Sequence, residues 1–488
     1  MIVLYNPRSN GSGKRILPMS LLALGGLLEG QRDYIIVDGN IETDPLTRLD
    51  HLAQAGARVL GVTVMPGPQL AQAVPLCREL KRRHSGLIIV WGGYFPTQHW
   101  DTCLRADYVD YVVRGHGEHV FLQLLDRLDQ GSALADVRGL AYVAQGEPCS
   151  NPLASVPHPD SLPDFPYHRV PMDQYARACY LGQRTLPHHS SYGCPFFCNF
   201  CAVVNMVNGR WLAQSAERTA NTVRLLHDRY GADAIEFFDN NFFVSEARTA
   251  EFAERIMDLG LGWWGEARID TLLKMSQRTW QLMADSGLKM VFLGAESGSD
   301  ETLKRMNKGG TASAEKTLEI VRLMRGYGMI PELSFVMGNP PDPEADIRHT
   351  IEFIRRVKQI HPATEIIMYM YTPVPLAGEL YETAKAEGFR FPATLEEWVS
   401  PEWNTFSLRR STTVPWLGAN LRDLTHDFER VLNAYYPTAT DPKLTRAWRL
   451  ALRAASAWRY HLRVYRHPLE LRALHKLIAY QRPETTGF

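Results

Sequence analysis

No stretch of this 488-residue chain is apolar for long enough to cross a bilayer. The nearest approach, Ile16 to Leu28, falls short of the ~20 apolar residues a spanning helix needs and reads as a buried helix. The opening MIVLYNP is strand-like and too short for a secretory leader. Net charge is missing too: 53 Lys and Arg balance 53 Asp and Glu, so the whole molecule has no bias toward polyanions such as nucleic acid. Repeats and low-complexity tracts are absent. Cysteine is sparse, and four of the seven (Cys77, Cys103, Cys149, Cys179) lie scattered. Such spacing excludes the disulfide framework of a small secreted domain and fits a reducing cytoplasm. What is present, 45% apolar and 22% charged residues, is a globular composition with ample core.

The first 140 residues alternate β-rich runs (MIVLYN, YIIVDG, RVLGVTVM, LIIVWGG, YVDYVVRG) with helical stretches such as QLAQAVPLCRELKRRH. Continuous β-branched runs separated by helices indicate a parallel sheet covered on both faces. Prolines then gather in NPLASVPHPDSLPDFPYHRVP, a wrapping linker. A second alternation follows, with strands expected at 188–193, 234–239, 263–268, 290–296, 332–338 and 365–371. Six successive βα units suggest a partial barrel, whose chemistry sits at the C-terminal strand ends. The fold expected is therefore α/β: a Rossmann-like parallel sheet over 1–140, a linker over 141–185, a partial (β/α)6 TIM-type barrel over 186–395 and a helical region over 396–488.

Three cysteines crowd into SYGCPFFCNFCAV, at Cys194, Cys198 and Cys201, just after the first barrel strand. Gly193 and Pro195 mark a turn, so a buried trio of unligated thiols is a poor reading. A closed zinc site wants four protein ligands, usually in two pairs, and no second pair is near. His188 and His189 precede the loop as outsiders. An iron–sulfur cube held by three thiolates leaves one iron open to a substrate.

The spacing C-x3-C-x-aromatic-C, here Cys194, Cys198, Phe200 and Cys201, resembles the radical S-adenosylmethionine (SAM) superfamily. The resemblance spans roughly residues 186–390. It implies a 4Fe–4S cluster whose open iron chelates SAM, cleaving it reductively to a 5′-deoxyadenosyl radical. It also implies that the polar strand ends bind SAM: Asp239, Asn240 and Asn241 after the second strand, Glu266 and Arg268 on the third, Glu296 and Ser297 on the fourth. Each could equally be a cap or turn residue, but Glu296 and Arg268 are costly on barrel strands unless used. YTPVPLAGELYE resembles the TPxPGT close of cobalamin-dependent members, with a departure at Leu376-Ala377-Gly378.

A front α/β domain joined to this barrel resembles the cobalamin-binding radical SAM class, which includes the anaerobic magnesium-protoporphyrin cyclases and many C-methyltransferases. Glycines at 92, 93, 115 and 117, in WGGYFPT and RGHGEHVF, permit close backbone approach to a large flat ligand. Gly92, Gly93, Tyr94, Gly115, Gly117 and Glu118 are the expected cobalamin contacts. The D-x-H-x-x-G loop of other cobalamin domains reads DGNIET here. Asn40 stands where the cobalt-binding histidine would be and Thr43 where the glycine would be, so no cobalt–histidine bond is expected.

The resemblance implies a metal-binding, cytoplasmic transferase: a cobalamin-dependent radical SAM methyltransferase acting on a small molecule, with a flavodoxin- or ferredoxin-type electron donor. An oxidative cyclase or rearrangement enzyme is the alternative. A methylthiotransferase with a second cluster on Cys77, Cys103 and Cys149 is a further reading, and no nucleic-acid module supports it. Finally, ten Lys/Arg stand against one acid, Glu470, between Lys443 and Arg482. They read either as a solvated helical face or as a contact for a membrane surface or an anionic substrate.

Overall fold

The computed structural model describes residues 1–9, 15–308, 311–375, 378–408, 414–441 and 443–478. Strands β1 (Ile2–Asn6), β2 (Tyr34–Asp38), β3 (Val59–Thr63), β4 (Ile88–Gly92) and β5 (Tyr111–Val113) form a parallel sheet in the order β2-β1-β3-β4-β5. The β-branched runs form this sheet because both of its faces are buried. Helices Met19–Leu28 and Glu118–Gln130 cover one face, around Leu21, Phe121 and Leu124. Helices Pro45–Gln54 and Pro68–Arg83 cover the other, around Leu49, Leu70 and Leu80. This strand order opens a crevice at the C-terminal strand ends, where doubly wound sheets take their ligands.

The linker expected from residue 141 begins later. β6 (Leu140–Ala144) and β7 (Glu147–Ser150) extend the front sheet as an antiparallel hairpin. Gly146, with φ 85°, makes the turn. The proline-rich stretch that follows does wrap, and its end has a structural task. Leu181 is buried against Ala234, Met290 and Ile330 at the N-terminal ends of barrel strands, and Lys289 donates to its carbonyl (2.6 Å).

Six parallel strands in sequential order make the second sheet: β8 (Thr185–His188), β11 (Ala234–Phe237), β12 (Gly262–Ala267), β13 (Leu288–Glu296), β14 (Ile330–Met337) and β15 (Glu365–Met370). This is the connectivity of a partial (β/α)6 barrel with β8 and β15 as its edges. Serine starts helix after helix: Ser215, Ser245, Ser276, Ser299 and Ser313 each accept a hydrogen bond from the amide three residues on. That satisfies one orphan donor at each N-terminus. Outward-facing Trp263 on β12 packs against Phe242 and Phe252, ring centroids 5.7 and 5.4 Å away.

The first barrel strand differs from the expectation. It runs over 185–188, and the chain then turns. β9 (Ser191–Gly193) leaves the sheet to pair antiparallel with β10 (Trp211–Ala213), and the cysteine loop lies inside that hairpin. Beyond the barrel the chain is helical. Trp398 returns to the front domain, its ring edge-on to Phe95 at 5.1 Å, and Glu396 accepts from Tyr108 (3.1 Å). Helices Ala419–Tyr435, Arg446–Leu462 and Leu469–Leu477 pack beside the barrel helix Pro343–Ile360. Arg355 of that helix donates to the Tyr460 carbonyl (2.6 Å) and to the Tyr465 hydroxyl (2.9 Å).

Candidate active site

The cysteine loop begins at Gly193, whose φ of 82° belongs to the left-handed region. A side chain there would meet Val207 at 2.8 Å, so only glycine turns the strand into the loop. Asp239, fully buried at the end of β11, anchors the turn before it. Its carboxylate accepts from the Ser190 amide (3.1 Å) and hydroxyl (2.8 Å). Asp239 thus positions the loop, while its neighbour Asn240 is exposed to solvent.

The far side of the loop is tied to the segment after β13. Asn199 donates its amide to the Met306 carbonyl (2.9 Å) and its side chain to the Arg305 carbonyl (2.8 Å). Asn307 donates to the Phe197 carbonyl (2.7 Å). Two cations stand near the thiols. Arg268, at the end of β12, is buried, bonds Asp270 through two nitrogens (3.0 and 3.1 Å) and points Nη1 at Cys198 Sγ (3.4 Å). Its guanidinium also lies 3.8 Å over the Phe196 ring. Lys308 is buried, pairs with Glu296 at the end of β13 and stands 5.8 Å from the Phe200 ring. Burial lifts the Cys198 thiol above its ordinary value, against the downward pull of Lys308 and Arg268. On the other side, the Asn241 amide lies 3.8 Å from Cys194 Sγ, and its buried Oδ1 has no hydrogen-bond partner.

Glu296 combines two irregularities. Its φ is 62°, and the β13–β14 register shifts between Gly294 and Glu296. Bulges and left-handed non-glycine residues recur where a strand re-aims a side chain. Glu266, inward on β12, is partly accessible yet hemmed in by protein. Burial, then Asp239 and Glu332, push its carboxyl up to about 8. Ser297 lies elsewhere than expected: its hydroxyl faces helix Pro343–Ile360, 3.4 Å from both Asp346 and Thr350, and accepts from the Ser299 amide. Its partners are structural.

The front sheet has a cavity of about 220 Å³ at its C-terminal strand ends. Gly92, Gly93, Gly115, Gly117 and Glu118 line it, together with Gly61, Thr63 and Ser20; Tyr94 does not. Gly93 has φ 98° and ψ −163°, a region essentially reserved for glycine, and a Cβ there would meet Thr63 Oγ1 at 3.1 Å. Asn40 lies outside the cavity lining. It accepts from Ser9 and donates to Asp38 (each 2.9 Å), which gives it a structural role at the end of β2.

The barrel supplies the cavity's other wall through His189, Tyr192 and Met206, all from the segment that carries the three cysteines. Tyr192 packs against His116 of the front domain, ring centroids 4.4 Å apart and planes tilted by 40°. Glu118 is buried, and although burial opposes it, hydrogen bonds from His116 and Tyr192 hold its carboxyl below the usual range. Its Oε2 lies 3.9 Å from His116 Nδ1, beyond hydrogen-bond distance, and like His189 Nε2 it makes no hydrogen bond.

One reading from sequence ends here. Cys77 and Cys103 are fully buried in the front core, where burial pushes the first thiol up to about 12 and the second well up, so neither is a ready thiolate ligand. Cys149 lies on β7 and donates to the Tyr142 carbonyl. Leu376 and Ala377 lie outside the described residues. Sequence reasoning passed over Lys308, His116 and Tyr192. Lys308 sits in the run RMNKGG, where a cation beside two glycines was the available signal.

Residues 189–354 match the model of the radical SAM superfamily, and residues 12–125 match the B12 binding domain. An uncharacterized methyltransferase of Pyrococcus horikoshii is 27% identical over 73% of this chain and 78% of its own length. The anaerobic magnesium-protoporphyrin IX monomethyl ester cyclase of a Synechocystis species is 27% identical over 76% and 75%. Among solved structures, the radical SAM methyltransferase TsrM of Kitasatospora setae, determined with cobalamin and a 4Fe–4S cluster bound, has a TM-score of 0.64. That match covers 80% of this chain and 76% of that one at 19% identity.

Proposed function

Since the chain is a radical SAM protein that also carries a B12-binding domain, we propose that it is a cobalamin-dependent methyltransferase acting on an unactivated carbon of a small molecule. One observation carries this reading: the glycine cavity of the front sheet and the cysteine loop share a wall. Tyr192 lines the cavity two residues before Cys194, and Met206 lines it five residues after Cys201. A methyl store and a radical source are useful together only when substrate can lie between them.

The residues fit both groups. Cys194, Cys198 and Cys201 share one loop with Arg268 beside them and Lys308 close by, and cations of this kind favour thiolate. Among the described residues no three His, Cys, Asp or Glu side chains converge as a single-ion site requires, so the fit rests on the soft donor set and its neighbours. A cube also spreads its ligand sulfurs farther apart than one zinc ion does. In the front cavity, side chains at Gly93 and Gly117 would intrude on the cradle walls, at 3.1 and 3.2 Å from Thr63 and Val113. Glu118 Oε2 and His189 Nε2 make no hydrogen bond within the chain and are available to a polar ligand there.

Bound in these places, a 4Fe–4S cluster and cobalamin supply reductive cleavage of SAM and storage of a methyl group. The chain's own work is electrostatic and steric. Arg268 and Lys308 offset negative charge at the thiolates. Asn241, Glu296 and the half-buried Glu266 form the polar rim for SAM, with Glu266 holding its proton near neutral pH. The buried surroundings exclude water from the radical chemistry. A flavodoxin- or ferredoxin-type donor and a reducing cytoplasm complete the reading.

The oxidative cyclase is the second reading, favoured by the cyclase relatives. The test is anaerobic turnover with methyl-labelled SAM and a small-molecule extract of the producing cells. Methyl transfer gives labelled product, 5′-deoxyadenosine and S-adenosylhomocysteine in similar amounts. 5′-Deoxyadenosine without S-adenosylhomocysteine would transfer the assignment to the cyclase.

A further inference from the structure

Helices Arg446–Leu462 and Leu469–Leu477 bury one face each, through Leu452, Ser456 and Tyr460 in the first and Leu471 in the second. Side chains four apart share a face of a helix. The opposite face of the first helix carries Leu450, Ala454, Trp458 and Leu462, with Leu450 68%, Trp458 47% and Leu462 69% exposed. The second helix repeats the arrangement with Leu469, Ala473 and Leu477, where Leu469 is 66% and Leu477 76% exposed. Exposed apolar side chains scattered singly need no explanation, whereas stripes of them mark a contact surface.

The flanks of these stripes are cationic. From Lys443 to Lys476 nine Lys/Arg stand against one acid, Glu470, which Arg459 already engages. Among the described residues the ion pairs of this segment use only Arg459, Arg463 and Arg472. Among the described residues Arg446, Arg453, Arg466 and Lys476 have no acidic partner. A second copy of the chain would bring like charge against like. An anionic bilayer accepts both features, with Trp and Leu at the acyl boundary and Arg and Lys on lipid phosphates. No described helix is long and apolar enough to cross a membrane.

We propose that this two-helix face docks the protein peripherally on an anionic lipid surface. The surface is independent of the cysteine loop, so its failure would leave the proposed chemistry untouched. The experiment is co-sedimentation of the full chain, prepared anaerobically, with vesicles of phosphatidylcholine alone or mixed with phosphatidylglycerol. Binding to the mixed vesicles should exceed binding to phosphatidylcholine by about tenfold or more and weaken about tenfold at high salt. Leu450→Glu combined with Trp458→Glu should abolish it, and Arg453→Ala with Lys476→Ala should weaken it several-fold. All four positions are exposed, so unchanged thermal midpoint and iron content verify that the variants fold. Equal binding to both vesicle types, no binding to either, or binding unmoved by the variants would overturn the proposal. So would a dimer in light scattering that Trp458→Glu dissolves, because the face would then belong to a second copy.

Discussion

Tyr192 of the barrel and His116 of the front domain pack ring against ring, centroids 4.4 Å apart and planes tilted by 40°, and both line the front cavity. Two residues after Tyr192 comes Cys194, so one aromatic contact joins the cavity wall to the thiol loop. Tyr192→Ala removes a buried ring, a change that costs about 3–5 kcal/mol by analogy with Phe→Ala, and leaves Glu118 with His116 alone to offset its burial. It should lower cobalamin retention and iron content together, measured on one anaerobically reconstituted sample.

Gly93→Ala should separate those two readouts. The backbone conformation at Gly93 costs a non-glycine residue about 1–3 kcal/mol, and the added Cβ crowds Thr63 and Val64. Cobalamin retention should fall while iron content stays at the wild-type level.

Replacing Cys194, Cys198 and Cys201 together by Ala should remove about four irons per chain, the visible thiolate–iron absorbance and all SAM cleavage. Cys77→Ala should remove none of these, since Cys77 is a packed core thiol. Iron retained by the triple variant would refute the ligand assignment.

Lys308 and Glu296 form a buried pair, with side chains 7% and 8% exposed. Lys308→Met strands a buried carboxylate and should destabilise the chain by about 3–5 kcal/mol. Adding Glu296→Gln should restore most of that loss. Denaturant melts of the two single variants and the double variant give the coupling, and SAM affinity should fall in every variant that lacks Glu296.

Burial, then Asp239 and Glu332, push the Glu266 carboxyl up to about 8. A raised carboxyl binds its proton more tightly when folded. It therefore costs nothing below the unfolded value of about 4.3 and destabilises progressively as pH rises toward the folded value. Glu266→Gln should gain stability relative to wild type between about pH 5 and pH 8, by on the order of a few kcal/mol. Above that range the difference should be flat. A difference independent of pH across this window would show that Glu266 ionises normally.

Much of the fold was legible because local patterns encode it. The β-branched runs at 2–6, 34–38, 59–63, 88–92 and 111–113 can only be strands buried on both faces, and the thiols at Cys194, Cys198 and Cys201 need no tertiary context to define a soft donor set. The glycines at 92, 93, 115 and 117 likewise announced a close backbone approach, and all of them line the cavity. What the tertiary structure decided were relationships between residues far apart in sequence. Lys308 stands near Phe200 of the cysteine loop, which Asn199 and Asn307 tie to the segment after β13. Ser297 and Asp239 look like ligands in a list of polar strand ends, yet burial gives each a structural partner, Thr350 and Ser190. The strand that sequence placed at 188–193 splits, because a turn after His188 sends Ser191–Gly193 to pair with Trp211–Ala213. Periodicity reports which face of an element is buried; it carries no information about which distant side chain buries it, and that second fact is what assembled this site.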